Sequence, residues 1–169
     1  GNNTGTGSVA NTLYGDAYGM SDAAVGGNDT LTGGNNTGIG SLTNELYGDL
    51  YLSGSAQGGD DILTGGDNSG SGAVTNTLIG DALDNYSSCH GGNDRLISGI
   101  NATDNIWGDF VNNATSSIGG RDTFVFADNF GTDYVHDFRQ SDGDLIDFKV
   151  TGVTQFTNLT INQVGSDTI

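Results

Sequence analysis

Large apolar residues return along this chain at long, regular intervals. Leu31, Leu63, Leu96 and Phe124 each follow a glycine pair and an Asp, in GGNDTLTGG from Gly26, GGDDILTGG from Gly58, GGNDRLISG from Gly91 and GGRDTFVF from Gly119. A second set, Leu13, Leu46, Leu78 and Ile106, sits midway between them, in Asn11 to Asp16, Asn44 to Asp49, Asn76 to Asp81 and Asp104 to Asp109. Each segment predicts a short strand with its large apolar residue facing inward. The unit is the pair of segments: Asp29, Asp61, Asp94 and Asp122 are spaced by 32, 33 and 28 residues. A period in this range signals a solenoid, each unit being one coil with two strands and two turns.

The coils run at about 2–34, 35–66, 67–99 and 100–126, giving a repeat array over 1–126. Both turns carry extra residues that follow the same period. Tyr18, Tyr51, Leu83 and Val111 recur two residues after the Gly-Asp, and Val9, Leu42 and Val74 recur four residues before the strand Leu. These inserts are expected to form loops or extra strands packed on the solenoid wall. From Phe124 the composition shifts towards phenylalanine, and apolar and polar residues alternate to Asp147-Phe148 as in paired strands. Residues 127–169 are therefore expected to form a C-terminal β cap over the last open coil.

Charge adds the chemistry. The net charge is −17, with 30 glycines and no proline, and every acidic residue except Glu45 is Asp. A solvated acidic surface mixes Asp with Glu, so this bias points to short carboxylates that must reach fixed points near the backbone. Asp brackets one turn of every coil: Asp16 with Asp29, Asp49 with Asp61, Asp81 with Asp94, and Asp109 with Asp122. In the other turn Asn11, Asn44 and Asn76 fill the position, and only the last coil has Asp104. One edge should be a column of carboxylates and the other a column of neutral amides. With four Lys and Arg in all, nucleic acid and anionic membrane surfaces are not expected as partners. No apolar run approaches the roughly 18 residues of a spanning helix.

The glycine-Asp copies resemble the glycine-rich nonapeptide repeats of RTX (haemolysin-type calcium-binding) proteins, over Asn2 to about Phe148. Asp122 to Phe126, Tyr134 to Phe138 and Gly143 to Phe148 are further similar to the C-terminal region of serralysin-type secreted proteins. The resemblance implies an all-β parallel β-roll or β-helix of four irregular RTX-like coils with a C-terminal β cap, and Ca²⁺ as cofactor. Calcium takes six to eight oxygens, a shell that needs two stacked turns. The expected ligands are Asp16, Asp29, Asp49, Asp61, Asp81, Asp94, Asp109 and Asp122, with carbonyls near Gly27, Gly59, Gly92 and Gly120. Four Asp-rich turns leave room for about three ions between them. Asp60, Asp104, Asp133, Asp137, Asp142 and Asp147 are weaker candidates.

The resemblance also implies a use. RTX proteins leave bacteria unfolded through type I secretion machinery and fold in external calcium, so the expected place is outside the cell or on its surface. The missing initial Met and the abrupt end at Ile169 suggest a piece of a longer protein, with any catalytic domain elsewhere. No HExxH, GxSxG, Walker loop or EF-hand loop occurs, and no enzyme activity is expected of this chain. Cys89 and His90 read as a small packed residue and its neighbour, and His136 as structural. Tyr14, Tyr47, Ile79 and Trp107 follow the inward Leu or Ile in successive coils and should stack on one outer face. Exposed, they would make a polysaccharide-binding or adhesive module on the same scaffold. Covered by the periodic insert residues, they would be core.

Overall fold

A computed structural model describes the chain apart from residues 17, 87, 113–116, 151, 161–162, 165–166 and 169, so parts of the far end of the expected cap lie outside the described residues. The strands, in chain order, are β1 (Val9–Tyr14), β2 (Thr30–Thr32), β3 (Leu42–Tyr47), β4 (Tyr51–Leu52), β5 (Ile62–Thr64), β6 (Val74–Ile79), β7 (Ala82–Asn85), β8 (Arg95–Ile97), β9 (Ala102–Trp107), β10 (Phe110–Asn112), β11 (Thr123–Ala127), β12 (Gly131–Val135), β13 (Leu145–Lys149), β14 (Gln163–Val164) and β15 (Asp167–Thr168). A 3₁₀ turn covers Phe156–Asn158, and there is no α-helix among the described residues.

The protein is a parallel β-solenoid of about four turns. One sheet runs β1-β3-β6-β9-β12 and the opposite sheet β13-β11-β8-β5-β2, with parallel pairing throughout. Although the coils differ in length, like residues of successive coils fall into register. Leu13, Leu46, Leu78 and Ile106 stack along the first sheet, while Leu31, Leu63, Leu96 and Phe124 stack along the second. The two rows meet in the main core of Leu46, Leu63, Leu78, Leu96, Ile106, Phe124 and Phe126. Towards the C-terminus, β12 and β13 add the next rung to each sheet, so the capping region begins by continuing the solenoid. Phe130 and Phe148 close over the end of the core beside Phe126.

The inserted residues build a third, smaller sheet, β10-β7-β4, out of the Asp-bracketed turns. It carries its own core of Met20, Leu52, Ala56, Ala82, Cys89 and Phe110. Cys89 is fully buried there, as a small apolar residue would be. On the other side of the main core, Leu42, Val74 and Ala102 form a further apolar row under the Asn-containing turns. The tyrosine face is covered where the inserts lie over it: Tyr47 and Ile79 are buried under Leu50, with Tyr51, Leu83 and Val111 beside them. Tyr14, in the first coil, stays exposed and stacks on Tyr47 at 5.3 Å.

Candidate functional site

Two buried polar columns run along the solenoid axis. The first lies on the inward side of the long sheet, where Asn11, Asn44, Asn76, Asp104 and Asp133 are in register. Asn11 Nδ2 donates to Asn44 Oδ1 and Asn44 Nδ2 to Asn76 Oδ1, both at 2.7 Å, and Asn76 Nδ2 donates to Asp104. Asn44 and Asn76 also close on the backbone N–H and carbonyl of Gly34 and Gly66. An amide has both donors and acceptors, so a column of them satisfies itself rung by rung.

The carboxylate column has the same architecture without the donors. Asp29, Asp61, Asp94, Asp122 and Asp144 occupy successive coils, and each after Asp29 accepts through Oδ1 from the backbone N–H one coil earlier. Asp29 N–H donates to Asp61 (2.6 Å), Asp61 to Asp94 (2.7 Å), Asp94 to Asp122 (2.9 Å) and Asp122 to Asp144 (3.0 Å). The other oxygen, Oδ2 of Asp29, Asp61, Asp94 and Asp122, is buried and has no hydrogen-bond partner. Facing them across the turn are Asp16, Asp49, Asp81 and Asp109, each held by the N–H of the second turn glycine, Gly27, Gly59, Gly92 or Gly120. Asp49 Oδ1 is likewise buried without a partner.

Chain order places these carboxylates at a waist between two apolar cores. Going out, the chain passes from Leu46 through Asp49 to Leu52; coming back, it passes from Ala56 through Asp61 to Leu63. The consequence is near-complete burial: Asp49 and Asp81 have no exposed surface and Asp61, Asp94, Asp109 and Asp122 at most 3%. Unpaired buried charge is costly, and among the described residues no cationic side chain forms an ion pair with these carboxylates. Of the four Lys and Arg, Arg139 pairs with Asp142 and Lys149 with Asp147. Arg139 offsets only part of the charge at Asp109.

The electrostatic result is a file of reluctant acids. Burial first, then repulsion from Asp61 and Asp16, pushes Asp49 to about 8. Burial and Asp109 push Asp122 to about 8. Asp61 and Asp109 are driven mainly by burial to about 7, and Asp81 and Asp94 are raised well above the ordinary range by burial and by their neighbours in the file. These groups hold protons in the folded chain that they release in the unfolded one between pH ~4 and ~8, so unfolding free energy falls as pH rises through that window. In chelator, the β-sheet signal that the chain lacks at neutral pH should therefore return as pH is lowered from 8 to 5. A β-sheet signal that instead grows as pH rises would contradict this electrostatic picture.

The remaining candidates are placed differently. Asp60 is exposed and caps the N–H of Asn93. Asp137 accepts from the N–H groups of Gly108 and Asp109, ending the inner turn of the last coil. Asp142 and Asp147 are engaged in the two ion pairs. The carbonyl oxygens of Gly27, Gly59 and Gly92 stand against the Cα of the next coil's glycine, close enough that a Cβ on Gly59, Gly92 or Gly120 would strike them. Asp144 is a member of the carboxylate column that sequence reasoning missed. Its signal was present: Asp144 precedes Ile146 by two residues as Asp61 precedes Leu63. His136 stacks flat on Trp107 at 4.0 Å, and His90 is exposed.

Chemically the waist offers oxygen donors alone, several of them unpartnered, which is the donor set of a hard cation. Among the described residues no three acidic, histidine or cysteine side chains converge as a finished cage. The carboxylates are instead strung along the axis, two per coil. No family model, curated protein or solved structure matches the chain in sequence or fold.

Proposed function

We propose that this chain is a calcium-binding, RTX-like module that folds when it meets calcium outside the cell and so supports the folding and secretion of a larger extracellular bacterial protein. The observation that carries the reading is the waist: buried carboxylates whose outer oxygens have no donor, in a chain with almost no cationic side chains. The groups that would hold calcium are Asp29, Asp61, Asp94 and Asp122 through Oδ2, with Asp16, Asp49, Asp81 and Asp109 opposite. When bound, the ion supplies the positive charge these oxygens lack. The chain's own part is to aim them: glycine N–H groups fix one carboxylate file and the Asp backbone N–H groups fix the other. A ligand that binds only the folded state stabilises it by mass action, which makes folding follow calcium.

Export through type I secretion machinery fits this coupling, because an unfolded acidic chain would remain unfolded at low internal calcium and fold on exit. Catalysis is not part of the reading. The polysaccharide reading draws less support, since Tyr47 and Ile79 lie under the insert residues. The test is equilibrium dialysis of the metal-stripped chain against calcium or magnesium, with metal counted per chain and fold followed by circular dichroism. Several calcium ions per folded chain, with equal magnesium failing to replace them, is the expected result. A folded chain that retains no calcium overturns the proposal.

A further inference from the structure

Five of the six tyrosines meet on the outside of the first three coils. Tyr14 stacks on Tyr47 at 5.3 Å, Tyr47 packs with Tyr51, and Tyr18 makes an edge-to-face pair with Tyr51 at 5.1 Å, their hydroxyls bonded to each other. Tyr86 lies within electrostatic reach of the same Tyr51 hydroxyl. The inserted third sheet creates this grouping, because Tyr51 of β4 is in register with Asp84 of β7 and Tyr86 directly follows β7. Tyr47 is the buried floor, whereas Tyr14, Tyr18 and Tyr86 are 47%, 72% and 68% exposed. One exposed tyrosine is ordinary; a contiguous group of them marks an interaction surface.

Two carboxylates that belong to neither buried column border the group. Glu45, the only Glu of the chain, shares the outward face of β3 with Tyr47 and lies in the field of its hydroxyl, and Asp84 stands in the same relation to Tyr51. Glu45 accepts from the Thr12 hydroxyl at 3.4 Å and Asp84 from the Asn112 amide at 2.7 Å, which are neutral donors. Neither carboxylate has an ion-pair partner among the described residues, and no Lys or Arg occurs before residue 95.

Tyrosine faces carry negative potential, so rings bordered by unneutralised carboxylates attract a cation. Guanidinium fits better than ammonium: it is flat, weakly hydrated, stacks on an aromatic face and can bond a carboxylate through two N–H groups at once. A phosphate or sulfate would be repelled, and a neutral sugar would leave both charges unanswered. We propose that this tyrosine group is a docking surface for an arginine-containing peptide segment of a partner protein, its guanidinium groups stacked on the exposed rings and paired with Glu45 and Asp84. The surface uses neither buried column and stands whether or not the waist binds metal.

Titration calorimetry of the full chain in saturating calcium and physiological salt tests it, with a short synthetic peptide alternating Gly and Arg and its Lys counterpart of equal charge. The Arg peptide should bind several-fold more tightly than the Lys peptide. The variant Tyr18→Ala/Tyr86→Ala removes two exposed rings and no charge, so it should keep its β-sheet circular dichroism and bind the Arg peptide about tenfold more weakly. Should it lose that signal, Glu45→Gln/Asp84→Asn, which keeps every ring, should show a similar loss of affinity. No binding of the Arg peptide, equal affinity for the two peptides, or unchanged affinity in a folded variant overturns the surface, and the last two results would leave only attraction to the bulk negative charge.

Discussion

At neutral pH in excess chelator, the chain should lose its β-sheet signal, and the variant Asp61→Asn/Asp94→Asn/Asp122→Asn should keep it. The contrast follows from the two columns. In the amide column each Asn offers Oδ1 to a neighbour and donates through Nδ2 to the next rung, and Asn44 and Asn76 are completely buried without strain on the hydrogen-bond count. In the carboxylate column Oδ1 is satisfied by the N–H one coil back, while Oδ2 is unpartnered. Asn in these places retains the Oδ1 acceptor, removes the charge and converts the orphan oxygen into a donor. Each coil buries only a thin apolar layer, so repulsion among six or more buried carboxylates decides whether the stack closes. The same variant should need no calcium to fold, and its unfolding midpoint should not respond to added calcium as the parent's does. A triple variant that unfolds in chelator as readily as the parent would show that the carboxylates are not what destabilises the metal-free chain.

Gly92→Ala should be among the most damaging single methyl additions. Successive turns are stacked so closely that a Cβ at Gly92 would run into the carbonyl oxygen of Gly59, which is backbone and cannot swing aside. Gly92 is also buried, and its N–H holds Asp81 at 2.9 Å, so any shift to relieve the clash moves a carboxylate of the waist. A cost of about 3 kcal/mol is expected from overpacking at such a contact. Gly19→Ala, where nothing lies within 4 Å of the added carbon, should change stability by less than about 0.5 kcal/mol. Urea midpoints in saturating calcium compare the two. Equal midpoints would mean that the turns are not stacked in this register.

Much of this was legible in the sequence. Leu63 and Leu96 announced the inner face because they recur two residues after Asp61 and Asp94, and coils built on the same motif stack by bringing those residues into register, the difference in length being taken up in the turns. The difference between Asn44 and Asp61 likewise survives as one neutral column and one charged column. Their depth was not legible. Whether an Asp beside a glycine pair meets solvent or apolar surface depends on what the inserted residues do, and β4, with two residues, is too short to carry an alternating pattern. The third sheet gathers Leu52, Ala82 and Phe110 into a second core, and this turns an expected surface edge into a buried waist. Asp144 escaped notice for a related reason. The stretch Gly143 to Phe148 reads as a cap strand, whereas β13 continues the solenoid and brings Asp144 into the carboxylate column.

The central claim is that a cation lies where the buried carboxylate oxygens lack donors, and the most direct test is anomalous X-ray scattering from crystals of the full chain grown in calcium. Anomalous peaks in a file along the axis, within coordination distance of Oδ2 of Asp61, Asp94 and Asp122, are the predicted result. A well-ordered solenoid in calcium with no peak between the two Asp files would contradict the account, and would leave protons as the groups that neutralise the waist.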